Sequence, residues 1–228
     1  MVAIMKNTVN ISVFKFDPLK DTEAKFKSYS MPSHGLRTVM DALTYIRDHI
    51  DGTLAFRSSC GQGRCGSCAV HFNGRYGLAC EMLLSSEKNT VRPLAHLPVI
   101  KDLVVDMEAF WEKYEAVKPY LVRSSNDAVL SIEKRLKMNK LVDCILCGAC
   151  FSACQMTGKN PDFHGPAAYV VLNRFLLDNR DSLREQRLAL VKGENGVFRC
   201  HQMFNCNEAC PKQIYPSENI LEIIKIID

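Results

Sequence analysis

Two runs, "CILCGACFSAC" (Cys144–Cys154) and "CHQMFNCNEACP" (Cys200–Pro211), decide how the second half of this chain is read. The first is spaced C-x2-C-x2-C-x3-C, the ligand run of bacterial [4Fe–4S] ferredoxins. The second keeps cysteine at Cys200, Cys206 and Cys210-Pro211 but carries Met203 where its second cysteine belongs. In the two-cluster layout the last cysteine of each run ligates the other cluster. Cys144, Cys147, Cys150 and Cys210 are therefore expected around one [4Fe–4S] cube, and Cys154, Cys200 and Cys206 around the other site. A thioether is a weak, neutral ligand that does not replace thiolate on iron. With Met203 at the fourth corner, a [3Fe–4S] cluster is the expected occupant.

The first half uses another cysteine grammar. In "FRSSCGQGRCGSCAVHFNGRYGLAC" the ligands would be Cys60, Cys65, Cys68 and Cys80, spaced C-x4-C-x2-C-x11-C. The opening spacing is that of plant-type ferredoxins, which hold [2Fe–2S] with four thiolates. Gly61, Gly63 and Gly66 let the backbone come close and aim N–H groups at sulfur. The segment Gly61–Gly66 also satisfies G-x-G-x-x-G, with Glu81 twenty residues after Gly61. A dinucleotide loop needs a strand before it and a helix opening at it. Cysteines interrupt this one and an Asn-Gly hairpin follows, so nucleotide binding is set aside.

Around these runs the periodicities divide the chain. Val9, Ile11 and Val13 alternate as a strand, and "AVHFNGRYGLA" is a hairpin turning at Asn73-Gly74. Val39, Leu43, Ile46 and Ile50 recur at helical spacing. "DMEAFWEKYEAVKPYLV" reads as a connecting helix ended by Pro119, and three further stretches read as helical: "DAVLSIEKRLKM", "AAYVVLNRFLLDNRDSLREQRL" and "SENILEIIKIID". The expected architecture is α+β. A plant-type ferredoxin (β-grasp) domain spans residues 1–104, and an all-α, bacterial-ferredoxin-like domain spans 105–228.

Composition narrows the function. Eleven cysteines among 228 residues is an odd count in tight groups, unlike a disulfide framework. Zinc is the common alternative for C-x2-C pairs, but its sites come in fours built from two close pairs, unlike these loops. The formal charge of +4 is no nucleic-acid signature. Basic residues are dispersed, and each ligated cluster would add roughly −2. No apolar run approaches the ~20 residues of a membrane helix. "MVAIMKNTVN" has no signal-peptide pattern, so the chain is expected to stay soluble where it is made. His34, His49, His71, His96 and His164 lack ligand spacing and read as structural or surface.

Taken in order, "FRSSCGQGRCGSC", "DLVVDMEAFWEKYEAVKPYL", "CILCGAC", "NPDFHGPAA", "RFLLDNRD" and "FRCHQMFNC…CPK" closely resemble the iron–sulfur subunit of the succinate dehydrogenase and fumarate reductase family, over nearly the whole chain. The resemblance implies a linear wire. FAD sits in a separate flavoprotein, followed by [2Fe–2S], [4Fe–4S], [3Fe–4S] and a quinone held with membrane anchor subunits. Dicarboxylate chemistry would occur on the flavoprotein, and no catalytic motif is found here. The complex would lie peripherally on the cytoplasmic face of the inner membrane, or on the matrix face in a mitochondrion. His201 matches a family quinone-pocket position, whereas Gln155 and Lys159 stand where the family often has proline and tryptophan. His201 and Lys159 are the expected quinone-vicinity residues. Met203 and "ILEIIKIID" are expected to leave apolar surface for partners. A free-standing ferredoxin-like carrier shares the ligand runs but needs neither the second half nor the connector. A wire for another flavoprotein, such as a thiol-driven fumarate reductase, usually carries further cysteine-rich sequence.

Overall fold

The computed structural model describes residues 8–123 and 129–227, and the chain divides into two units between Asp106 and Met107. The N-terminal stretch read for a signal peptide lies largely outside the described residues, as do residues 127–128 of "DAVLSIEKRLKM". Among the described residues no helix is long and apolar enough to cross a membrane.

Alternation builds the first unit. Strand β1 (Thr8–Lys15) pairs antiparallel with β2 (Lys25–Pro32), in register from Thr8↔Pro32 to Lys15↔Lys25. Period two sends Ile11 and Val13 inward, with Tyr29 and Met31 buried on the partner strand. Strands β3 (Ala69–Phe72) and β4 (Arg75–Leu78) form the hairpin read at Asn73-Gly74. Both turn residues have positive φ (47° and 87°), the twist that two-residue hairpins favour. Strand β5 (Thr90–Arg92) runs parallel to β1 and antiparallel to β3, giving the order β2-β1-β5-β3-β4.

Helix α1 (Val39–His49) starts on a capping box. Asp41 N donates to Thr38 Oγ1 (3.1 Å) and Thr38 N donates to Asp41 Oδ2 (2.8 Å). It buries Val39, Leu43 and Ile46, but Ile50 does not continue the stripe. The amides of Ile50 and Asp51 both donate to Ile46 O, so the helix unwinds there and leaves Ile50 exposed. A small hairpin, β6 (Val99–Lys101) and β7 (Val104–Val105), turns at Asp102. The Asp102 carboxylate is fully buried. It accepts from Phe16 N (3.0 Å), Ala55 N (2.9 Å) and Lys15 Nζ (2.8 Å). Ala55 opens the segment that leads to Cys60, so Asp102 fastens the entry of the first cysteine loop.

The second unit is helical among the described residues. Helix α2 (Glu108–Ala116) buries Phe110 edge-on to Phe151, with ring centroids 5.7 Å apart. It stops ahead of Lys118 (φ 51°) and Pro119. Helix α3 (Ile132–Leu141) begins at its Ser131 cap. Short helices α4 (Ala149–Ala153) and α5 (Gln155–Lys159) follow the first cysteine run. Helix α6 (Pro166–Leu177), with proline at its first position, is buried almost all round and forms the centre of the unit.

The pattern read as one helix over 167–188 is two. Helix α7 (Arg184–Lys192) starts after a turn at 178–183. Asp178 makes the break by accepting from Arg180 N (3.0 Å), Nε (2.8 Å) and Nη2 (2.6 Å). The turn also brings Asp181 to Arg187, which is 2% exposed. Arg187 donates to both Asp181 oxygens and to the carbonyls of Val117, Lys118 and Tyr120. It thereby clamps the end of the connector onto α7. A 3₁₀ turn (Val197–Arg199) and helix α8 (Asn205–Glu208) frame the second cysteine run, and α9 (Pro216–Ile227) closes the unit. The apolar face of α9 is not left for partners as expected. Ile220 and Ile223 are buried and Ile224, Ile226 and Ile227 pack on the same core.

Candidate metal centres

The first cysteine loop is held by the β3–β4 hairpin. Cys68 immediately precedes β3 and Cys80 follows shortly after β4. Ala79 N donates to Cys68 O (3.0 Å), carrying the ladder one step past the strands, and the two Sγ atoms stand 3.4 Å apart. Cys60 and Cys65 lie on the loop ahead of them, where backbone amides converge on sulfur. Gln62 N, Arg64 N and Cys65 N each approach Cys60 Sγ at 3.4 Å, and Gly63 N donates to Cys80 Sγ at 3.2 Å. Glycine suits position 63, where any side chain would be strained and the end of Glu81 would have to move aside. Its φ is +67°, and a Cβ there would collide with the Glu81 carboxylate. No helix opens at 61–66, so the glycines of the apparent dinucleotide motif serve the sulfur-facing loop.

Cys65 and Cys68 differ in their surroundings. The Ser67 hydroxyl, followed by neighbouring amide hydrogen bonds, holds Cys65 down at about 6, while burial pushes Cys68 up to about 12. A ring of inward-aimed N–H groups suits sulfur that carries negative charge, as thiolates on iron do.

In the second unit seven cysteines fall into two separate cavities. Cys144, Cys147, Cys150 and Cys210 line one, closed by Ala167 and Val170 of α6 and by Ile214. Ile214 N donates to Cys210 Sγ (3.4 Å). Cys154, Cys200 and Cys206 line the other, with His201, Met203 and Ser217. Burial raises every thiol for which a shift is resolved, Cys147 and Cys206 to about 12 and Cys150 well above the ordinary thiol value. The neighbouring thiols add to the rise at Cys150. A bound metal's positive charge favours the thiolate form of such groups. Among the described residues no three or more Cys, His, Asp or Glu are placed to hold a single metal ion. In a cubane each iron takes its own thiolate, so the cysteines ring the cluster rather than converge on one point. The donor set, its burial and the inward amides fit iron–sulfur clusters.

Backbone conformation explains where Met203 stands. Two and four residues after Cys144, Leu146 (φ 51°) and Gly148 (φ 78°) are left-handed, with Cys147 between them. Two and four residues after Cys200, Gln202 (φ 52°) and Phe204 (φ 57°) are left-handed, with Met203 between them. The two loops share one conformation, and Met203 occupies the slot equivalent to that of Cys147. It is 51% exposed, and Phe204 and Phe198 are exposed with it, as expected of apolar surface near this cavity.

His201 lines the three-cysteine cavity, as does Gln155. Lys159 is exposed at the end of α5 and is not among the lining residues. Arg199 is engaged with Glu194, at 3.1 Å from Nη2 to Oε1. Motif reading passed over Ser217, which sits on the cavity wall beside Cys206. Its amide donates to Asn207 Oδ1 (3.0 Å). A serine seven residues after the last cysteine has no spacing signal. The repeated left-handed offsets were hinted at only by Gly148.

Residues 10–112 match the family described as a 2Fe-2S iron-sulfur cluster binding domain, and residues 140–214 the 4Fe-4S dicluster domain. The fumarate reductase iron-sulfur subunit of Haemophilus influenzae is 36% identical, over 93% of this chain and 90% of its own. The mitochondrial succinate dehydrogenase [ubiquinone] iron-sulfur subunit 1 of Oryza sativa is 37% identical, over 96% and 82%. A chain of the Mycobacterium smegmatis Sdh1 complex in its apo form shares the fold, with a TM-score of 0.87 at 24% identity over 96% of this chain and 95% of that one.

Proposed function

Since this chain belongs to the iron–sulfur subunits of the succinate dehydrogenase and fumarate reductase family, we propose that it relays electrons between an FAD-containing succinate/fumarate flavoprotein and a membrane quinone. Residues 1–104 are the [2Fe–2S] domain, ligated by Cys60, Cys65, Cys68 and Cys80. Residues 105–228 carry a [4Fe–4S] cluster on Cys144, Cys147, Cys150 and Cys210, and a [3Fe–4S] cluster on Cys154, Cys200 and Cys206. The observation that carries this reading is the division of eleven cysteines into one loop and two cavities, with Met203 in the slot of a fourth ligand.

The clusters supply one-electron exchange. The chain's own residues hold them, aim amides at sulfur and keep water away with α6 and α9. His201, on the wall of the three-cysteine cavity, is assigned to the quinone side. Lys159, exposed at the end of α5, is assigned to the same vicinity. The partners are the flavoprotein and membrane anchor subunits, with the complex peripheral on the cytoplasmic or matrix face. Iron analysis of the anaerobically purified complex should give about nine irons per chain, counting two, four and three. Electron paramagnetic resonance, oxidised and then reduced by succinate or dithionite, should show three centres. A zinc-dominated metal content, or two centres only, overturns the assignment.

A further inference from the structure

Several buried side-chain atoms lack a hydrogen-bond partner among the described residues, and Ser217 Oγ is the one whose residue lines a cysteine cavity. Ser217 is 1% exposed, so water cannot satisfy the hydroxyl freely. Native interiors rarely leave such a group unpaired. The residue is also fastened toward the ligand loop. Its amide donates to Oδ1 of Asn207, the residue next to Cys206, whose own sulfur lies 4.0 Å from that oxygen. The unpaired hydroxyl therefore belongs to a residue that shares its cavity wall with Cys154, Cys200 and Cys206.

We propose that Ser217 Oγ donates a hydrogen bond to sulfur at the Cys154–Cys200–Cys206 site and raises the reduction potential of the cluster held there. The proposal rests on the cluster assignment above. An O–H donor stabilises the more negative, reduced form more than the oxidised one, because charge strengthens the bond. Hydrogen bonds to sulfur are among the levers on cluster potential. At the exit end of a relay, a raised potential draws the electron forward.

The test uses the intact complex carrying Ser217→Ala or Ser217→Thr, with iron analysis and a redox titration of the three-iron resonance. Ser217→Ala should keep its iron and shift the oxidised-to-reduced ratio at fixed potential about tenfold toward oxidised, or 59 mV downward for one electron. Ser217→Thr, which keeps the hydroxyl, should titrate close to wild type, and the other two centres should not move. A full complement of iron with an unmoved midpoint in Ser217→Ala overturns the proposal. If Ser217→Ala loses the centre, Ser217→Thr must restore both iron and midpoint, and its failure to do so overturns the proposal as well. A wild-type complex without a three-iron resonance refutes the cluster assignment instead, so the two failures are distinguishable.

Discussion

Met203→Cys restores the run C-x2-C-x2-C-x3-C-P and places a thiol in a slot already shaped for one. Full burial of a methionine is worth roughly 1.5–3 kcal/mol, and Met203 is 51% exposed, so truncation to cysteine should cost about 1 kcal/mol or less. Against about 5–15 kcal/mol for a typical folded protein, that leaves the unit intact. The tripod of Cys154, Cys200 and Cys206 then gains a fourth thiolate. Iron should rise from about nine to about ten per chain, and the resonance of the oxidised three-iron centre should vanish. The added thiolate carries negative charge, so the potential of the last centre falls. Quinone-linked turnover should slow more than dye-linked turnover, which can draw electrons from earlier centres. Met203→Ala is the control. It loses the same packing without supplying a ligand, and should keep the three-iron signal. Full iron content with an unchanged three-iron resonance in Met203→Cys would refute the placement of the vacant corner at residue 203.

Gly63→Ala should weaken the first centre alone and lower its iron occupancy, by at most about two irons per chain, because the alanine is strained at φ +67° and displaces the end of Glu81. Retention of the [2Fe–2S] absorption and its visible circular dichroism would contradict this. Arg187→Met strands a buried Asp181 carboxylate and three carbonyls, at a cost of about 3–5 kcal/mol. Thermal unfolding should show a large drop, and Asp181→Asn added to the variant should recover part of it. In the first unit Lys27, then the Thr53 hydroxyl and the Tyr29 phenol, hold the Asp51 carboxyl far below the usual carboxylate range. Its folded pKa is depressed, so its contribution to stability is present above about pH 4 and lost as pH falls further. The stability gap between wild type and Asp51→Asn should therefore narrow below that pH, as read by chemical denaturation, and a constant gap would argue against it.

What the chain order alone determined was chemistry set by short spacings. Cysteines with two, three or four residues between them, glycines in those gaps, the Asn73-Gly74 turn and the alternation of Ile11 and Val13 are legible because each depends on neighbours within one loop or strand. The two-part α+β architecture follows from them, and the family from the resemblance of the motifs taken in order. Tertiary structure decided whatever depends on partners far along the chain. The helical pattern over 167–188 breaks at Asp178 because Arg180 offers it a better local partner and Asp181 is needed by Arg187. The isoleucines of α9 turn inward because α6 offers a buried face, while Met203, apolar but half-exposed, stays at the surface. Ser217 became visible only as a hydroxyl walled in beside Cys206. Spacing is a property of the covalent chain and survives in the sequence. Burial and hydrogen-bond satisfaction belong to the closed fold, where segments tens of residues apart supply each other's solvent.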